Sequence, residues 1–158
     1  MRELILLRHA HAEPASNGQA DLDRALSAEG LAEAEAAGRW LAANKMVPDC
    51  VLCSPSRRTR ETLEAVLGTI GYVDQRIEPA IYDATPGTLI ALADTHPEVE
   101  RLMLVGHNPG IERLAALLHS GQSGDYRGMP PGGIAVLSVP PGSSLEPGVA
   151  QLSAFWWP

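Results

Sequence analysis

Short apolar runs alternate with stretches of helical periodicity along this chain. Leu4-Ile5-Leu6-Leu7 runs directly into Arg8-His9, and Leu102-Met103-Leu104-Val105 ends in Gly106-His107-Asn108-Pro109-Gly110. Uninterrupted apolar runs bounded by turn or polar residues suit strands buried on both faces. Asp49–Cys53 and Ile134–Val139 read as further strands, Arg76–Glu78 as a short one, and Val149–Phe155 as a closing antiparallel strand.

Between them lie four helical patterns. Leu31, Ala34, Gly38 and Leu41 predict a helix over 28–44, with Ser27 as N-cap and Glu29 favoured by the dipole in the first turn. Ser54-Pro55 is expected to open the second, whose apolar stripe is Leu63, Val66, Leu67 and Ile70. Thr85-Pro86 starts the third, with Leu89, Leu92 and Ala93 inward until Pro97 ends the region. The fourth runs from about Pro109 with Ile111, Leu114, Ala115 and Leu118 inward. Residues 10–26 and 120–133 read as loops. Alternating strands and helices imply a mostly parallel sheet flanked by helices. No repeat or linker divides the chain, so one domain over 1–158 is expected.

The bulk numbers narrow the function classes. A net charge of −7 argues against general affinity for nucleic acid, which depends on Lys and Arg neutralising phosphates. No apolar run approaches the roughly 18 residues of a membrane span, and the start lacks a secretory-signal layout, so a cytoplasmic protein without membrane partners is expected. Cys50 and Cys53 form a Cys-x-x-Cys, but within a predicted strand. Positions i and i+3 of a strand face opposite ways, so two core cysteines are expected and not a redox pair.

The predicted strand ends gather chemistry at one rim: Arg8-His9, Ser54-Pro55-x-x-Arg58 and Gly106-His107-Asn108. Open α/β sheets bind ligands at this carboxyl edge. Arginine beside the histidines opposes a zinc ion, which also needs three or four ligands, so neither metal nor cofactor is expected. Guanidinium forks match phosphate oxygens, and helix N-termini near 55 and 109 add backbone donors for an anion. The pocket reads as a phosphate site.

At these residues the chain resembles a known family. Leu7-Arg8-His9, Ser54-Pro55-Ser56-Arg57-Arg58 and Gly106-His107-Asn108-Pro109 are similar to the three motifs of the histidine phosphatase superfamily. Asp23-Arg24-x-Leu26-Ser27-x-x-Gly30 is similar to a segment common in its short SixA-type phosphohistidine phosphatase branch. The resemblance covers essentially the whole chain, with the motifs in order. It implies a phosphoglycerate mutase-like fold: three layers, α/β/α, on a mostly parallel sheet with one antiparallel strand. It implies that His9 is the nucleophile, taking the phosphoryl group as phosphohistidine. Arg8, Arg58 and His107 then hold the oxygens and the charge of the transition state, with Ser54 at the substrate and Asn108 orienting a neighbour or lining the pocket with it.

The departures are mild: Ala10 follows Arg8-His9 where glycine is common, Thr59 replaces the usual alanine, and Glu61 a common glutamine. A general acid is less well marked. Asp83 stands near the place where ester-cleaving relatives carry a carboxylate, and a surface or helix-entry aspartate is the competing and better reading. His11 and Glu13 border the nucleophile in a polar loop; His96 and His119 sit at helix ends. Trp156-Trp157 reads as a packed end or an association patch. Residues 71–100 are nearly all needed by the fold, leaving little for a lid. The expected substrate is therefore phosphohistidine on a phosphotransfer protein. A small phosphate ester, or a non-catalytic phosphate-binding module, are the alternatives.

Overall fold

The computed structural model describes residues 2–158. Six strands, β1 (Arg2–Arg8), β2 (Cys50–Cys53), β3 (Asp74–Ile77), β4 (Arg101–Gly106), β5 (Ile134–Val139) and β6 (Gln151–Trp156), form one sheet in the order β3-β2-β4-β1-β5-β6. Neighbours from β3 to β1 pair in parallel, and β5 pairs antiparallel with both β1 and β6. β5 is thus the single reversed strand of an otherwise parallel sheet. This is the phosphoglycerate mutase-like α/β arrangement expected from the resemblance.

The central strands sort their side chains by alternation, as a sheet covered on both faces requires. Leu4, Leu6, Leu52, Leu102 and Leu104 face one core with Leu89, Ile111, Leu114 and Leu118. Ile5, Leu7, Val51, Met103 and Val105 face the other with Ala37, Leu41, Leu63 and Val66. Helices α1 (Ala28–Ala43) and α2 (Arg57–Ile70) therefore cover one face, and α3 (Pro86–Asp94) and α4 (Gly110–Ser120) the opposite one. Cys50 and Cys53 fall into different cores, both free and buried, and burial pushes the Cys53 thiol up to about 12. The motif is not a redox pair.

Several boundaries moved. The second helix is capped not by Ser54 but by Ser56, whose hydroxyl accepts from the Thr59 amide at 3.3 Å. Ser54 and Pro55 stay outside the helix, because the Ser54 amide still bonds to the Val105 carbonyl of the sheet, 3.1 Å away. Leu31 is 47% exposed, and the buried stripe of the first helix is instead Gly30, Ala34, Ala37, Gly38 and Leu41. His96 is buried, with Nδ1 2.9 Å from the Thr95 hydroxyl and Nε2 3.4 Å from Arg76 Nη1. Among the described residues no helix is long and apolar enough to cross a membrane.

Candidate active site

Strands β2, β4 and β1 are neighbours in the sheet, and their carboxyl ends deliver Ser54, His107 and His9 side by side. Arg8 pairs with Gly106 in the register of β1 and β4, so the two histidines that follow share one edge. Their ring centroids lie 5.3 Å apart, tilted by 57°. The sequence motifs converge as expected.

His9 is fixed on both sides of its backbone. Its amide donates to the Gly106 carbonyl at 3.0 Å, and its carbonyl accepts from Gly132 at 3.2 Å. Ring Nδ1 lies 2.7 Å from the Ala10 carbonyl oxygen. A carbonyl only accepts, so Nδ1 carries the proton and Nε2 keeps its lone pair. Burial above all, with the charges of Arg58, Arg8 and Arg24, holds the imidazole at about 4, neutral at ordinary pH. Ala10 behind it is fully buried, and its amide donates to Thr62 Oγ1 at 3.0 Å. That hydroxyl in turn donates to the Arg58 carbonyl at 2.7 Å, tying the end of β1 that carries His9 to α2.

His107 is held equally firmly. Nε2 lies 2.7 Å from Ser54 Oγ, and Nδ1 lies 3.3 Å from Arg58 Nη2. A guanidinium only donates, so Nδ1 is the acceptor and Nε2–H faces Ser54. Burial first, then the proximity of His9 and Arg58, pushes its pKa down to about 3. The edge of Tyr82 meets the His107 ring, with centroids 5.4 Å apart.

The two arginines are braced from behind. Arg8 Nη1 donates to the Met129 carbonyl at 2.8 Å. Arg58 donates from Nη1 to the Asp21 carbonyl at 2.8 Å and from Nη2 to Asp21 Oδ2 at 3.0 Å. Arg8 Nε and Arg58 Nε are both buried and have no acceptor among the described residues. Arg2 Nε, at the opposite end of β1, is buried in the same way, so the case for an oxyanion rests on the two guanidiniums meeting at one strand edge. No three His, Cys, Asp or Glu side chains cluster as a metal-ligand set among the described residues.

Ser54 and Asn108, expected at the substrate, both direct polar groups into the fold. Ser54 is fully buried, with its hydroxyl on His107. Asn108 spends both Nδ2 donors inside the fold, on Glu112 Oε2 at 3.1 Å and the Met129 carbonyl at 3.0 Å, while its Oδ1 accepts from the Glu112 amide. Asp83 is exposed on the rim of a cavity that His107 also lines, and has no hydrogen-bond partner among the described residues. His11 faces away, with Nδ1 2.7 Å from the Ser27 hydroxyl.

Sequence reasoning missed Asp21, Tyr82, Thr62 and Glu112. The hydroxyl of Tyr82 donates to Asp21 Oδ2, as does Arg58, while Arg24 reaches Oδ1 at 3.1 Å. These bonds, that of Tyr82 foremost, hold the Asp21 carboxyl far below the usual range. The Asp23-Arg24-x-Leu26-Ser27-x-x-Gly30 segment was visible in the sequence, and its glycine has a physical reason. A Cβ at Gly30 would lie 1.9 Å from the His11 carbonyl oxygen, so the segment after His9 rests directly on α1.

Known proteins are similar to this chain in sequence and fold. A model of the histidine phosphatase superfamily (branch 1) matches residues 4–102. An uncharacterized protein of Mycobacterium tuberculosis is 39% identical over 96% of this chain and 99% of its own length. The crystal structure of a putative phosphohistidine phosphatase SixA from Agrobacterium tumefaciens superposes with a TM-score of 0.86 at 32% identity, covering 99% of this chain and 98% of the other. A protein histidine phosphatase SixA complexed with tungstate shares the fold at a TM-score of 0.83 and 22% identity, over 98% and 96% of the two chains. With its motifs in order on a common fold, the chain belongs to the histidine phosphatase superfamily.

Proposed function

We propose that the protein is a phosphatase that works through a phosphohistidine at His9 and acts on phosphohistidine of a phosphotransfer protein. The observation that carries this reading is the neutral His9 ring, its proton committed to Ala10, beside His107 and between Arg8 and Arg58. Neutral imidazole is a competent nucleophile near pH 7, and phosphoryl transfer is catalysed mainly by positioning and by charge.

In the first step His9 Nε2 attacks phosphorus, and the bond from phosphorus to the substrate imidazole breaks. The substrate imidazole, protonated from solvent on its other ring nitrogen, departs as neutral imidazole. The carbonyl of Ala10 faces the positive charge that grows on the His9 ring as the new P–N bond forms. Arg8 and Arg58 hold the equatorial oxygens. The dianion raises the pKa of His107, which takes a proton from solvent at Nδ1. Arg58 Nη2 then turns from that nitrogen to a phosphoryl oxygen, and Nδ1–H donates to another while Nε2–H remains on Ser54. In the second step water attacks phospho-His9, its proton leaves with solvent, and inorganic phosphate departs. Protonated imidazole is a good leaving group, so this route asks less of an acid such as Asp83 than an ester would. The similarity to a putative phosphohistidine phosphatase at 32% identity favours the same substrate class.

The test is phosphate release from a phosphohistidine-bearing protein in excess EDTA, wild type beside His9→Ala, with early samples probed for acid-labile, base-stable phosphate on the enzyme. Turnover and labelling that vanish in His9→Ala support the reading. Release from aryl or sugar phosphates alone moves the assignment to a small-molecule esterase. Inactivity on both classes leaves a phosphate-binding module.

A further inference from the structure

Two hollows flank the phosphate site and meet at Asn108. On one side an open groove of about 650 Å³ is lined by Arg8, Met129, Pro130, Phe155 and Trp157, with Arg127 on its edge. On the other, a cavity of about 250 Å³ lies against His107, Ile81, Pro86 and Leu89. Arg8 lines only the first and His107 only the second. A phosphoryl group seated between these two side chains therefore has unfilled space to either side.

A small molecule bearing a terminal phosphate extends from it in one direction. A phosphorylated side chain branches from a chain that continues in two. We infer that the protein binds its substrate as a polypeptide segment laid across the rim, with one neighbour of the phosphorylated residue entering the Phe155–Trp157 groove. This rests on the phosphatase reading above and specifies the sequence that it favours.

The groove selects for apolar and acidic side chains. Trp157 is 53% exposed and meets Phe155 edge-on, with ring centroids 5.6 Å apart, so its indole is available to a ligand. Arg127 lies over the Phe155 ring, 5.5 Å from its centroid, and forms no ion pair among the described residues. Glu112, the acid inside the groove, is occupied by Asn108 Nδ2 and the Met129 amide. Arg8 and Arg127 outnumber this one carboxylate, so the groove is net positive. Tryptophan and arginine on a rigid support are the residue types that dominate recognition energies. Rigidity comes from the Met129 main chain, bonded through its carbonyl to Arg8 and Asn108.

Two pentapeptides test this, each phosphorylated on histidine with potassium phosphoramidate: Glu-Leu-His-Leu-Glu and Gly-Gly-His-Gly-Gly. Wild type should process the first with a kcat/KM about 10-fold higher, a typical effect of a side chain worth one hot-spot contact. Trp157→Ala and Arg127→Glu should each remove most of that preference and hydrolyse phosphoramidate itself as wild type does. Equal peptides for wild type, a preference that survives in both variants, or a parallel loss on phosphoramidate overturns the proposal. Release from phosphoramidate but from neither peptide overturns the groove proposal and leaves the phosphatase reading standing. Should wild type release phosphate from neither peptide nor phosphoramidate, the phosphatase reading fails, and the groove is judged by binding of unphosphorylated Glu-Leu-His-Leu-Glu. A shift of the Trp157 indole N–H resonance, identified with Trp157→Phe, then supports the peptide groove, and its absence refutes it.

Discussion

Arg58 is clamped by Asp21, which accepts from Nη1 through its main-chain oxygen at 2.8 Å and from Nη2 through Oδ2 at 3.0 Å. The carboxylate is a spacer as well as an ion pair, because it also receives Tyr82 and Arg24 and so fixes where the guanidinium sits. Asp21→Ala should lower kcat/KM about tenfold, mostly by raising KM, since Arg58 holds substrate before the transition state. Asp21→Asn keeps an acceptor and should recover part of the loss. Steady-state phosphate release decides it; an unchanged KM in Asp21→Ala would show that the main-chain oxygen alone places Arg58.

Ser54 supports His107 from within the protein. Ser54→Ala strands a buried imidazole N–H, which costs about 1–3 kcal/mol of stability. It should also cut kcat more than it raises KM, by roughly 3–10-fold, because the orientation of His107 matters most when charge develops. Thermal unfolding and kinetics of the purified variant read both effects. A fall in stability with kcat intact would confine Ser54 to packing.

Acid should act through the histidines. His9 at about 4 and His107 at about 3 stay neutral in the native state, whereas unfolded imidazoles take up protons near 6.5. The unfolded chain then binds more protons between those values. These two groups therefore contribute fully above about pH 6.5, and their share of stability is lost as pH falls toward 4. Denaturant midpoints measured from pH 7 to 4.5 should decline, and His107→Asn should flatten that decline. The ring resonances of His9 and His107 should show no titration between pH 8 and 5.

Two helical glycines make opposite predictions. At Gly30 an added Cβ meets the His11 carbonyl, so Gly30→Ala must shift the backbone behind the nucleophile. It should destabilise by about 1–3 kcal/mol, as overpacking does, and reduce activity. At Gly68 nothing lies within 4 Å, so Gly68→Ala should stabilise by about 0.5–1 kcal/mol through helix propensity with activity unchanged. Melting temperatures of the pair provide the comparison.

What was readable in advance follows from range in sequence. Strands buried on both faces and helices with an apolar stripe carry their pattern locally, so β5 was located to the residue and α1 within one. His9, Arg58 and His107 were visible because each stands next to an element end. Asp21 was not, since its partner lies 37 residues away and no local pattern marks a carboxylate in a polar loop. Asn108 and Ser54 were legible as site residues but not in direction, because which way an amide or hydroxyl turns depends on neighbours such as Glu112 and His107. Leu31 shows the limit of periodicity: an apolar residue on a helix need not face the core.

The Met129 carbonyl accepts from both Arg8 and Asn108, and that sharing gives the 120–133 loop a thermodynamic role. A loop rich in glycine and proline would ordinarily be free to vary in order without touching chemistry. Here the order of the loop and the placement of the Arg8 guanidinium are linked through one oxygen. If Arg8 holds phosphate as proposed, whatever orders the loop strengthens that hold, and phosphate in return orders the loop by the same free energy. Amide exchange along the loop is then a measure of occupancy at a site that none of its side chains needs to touch.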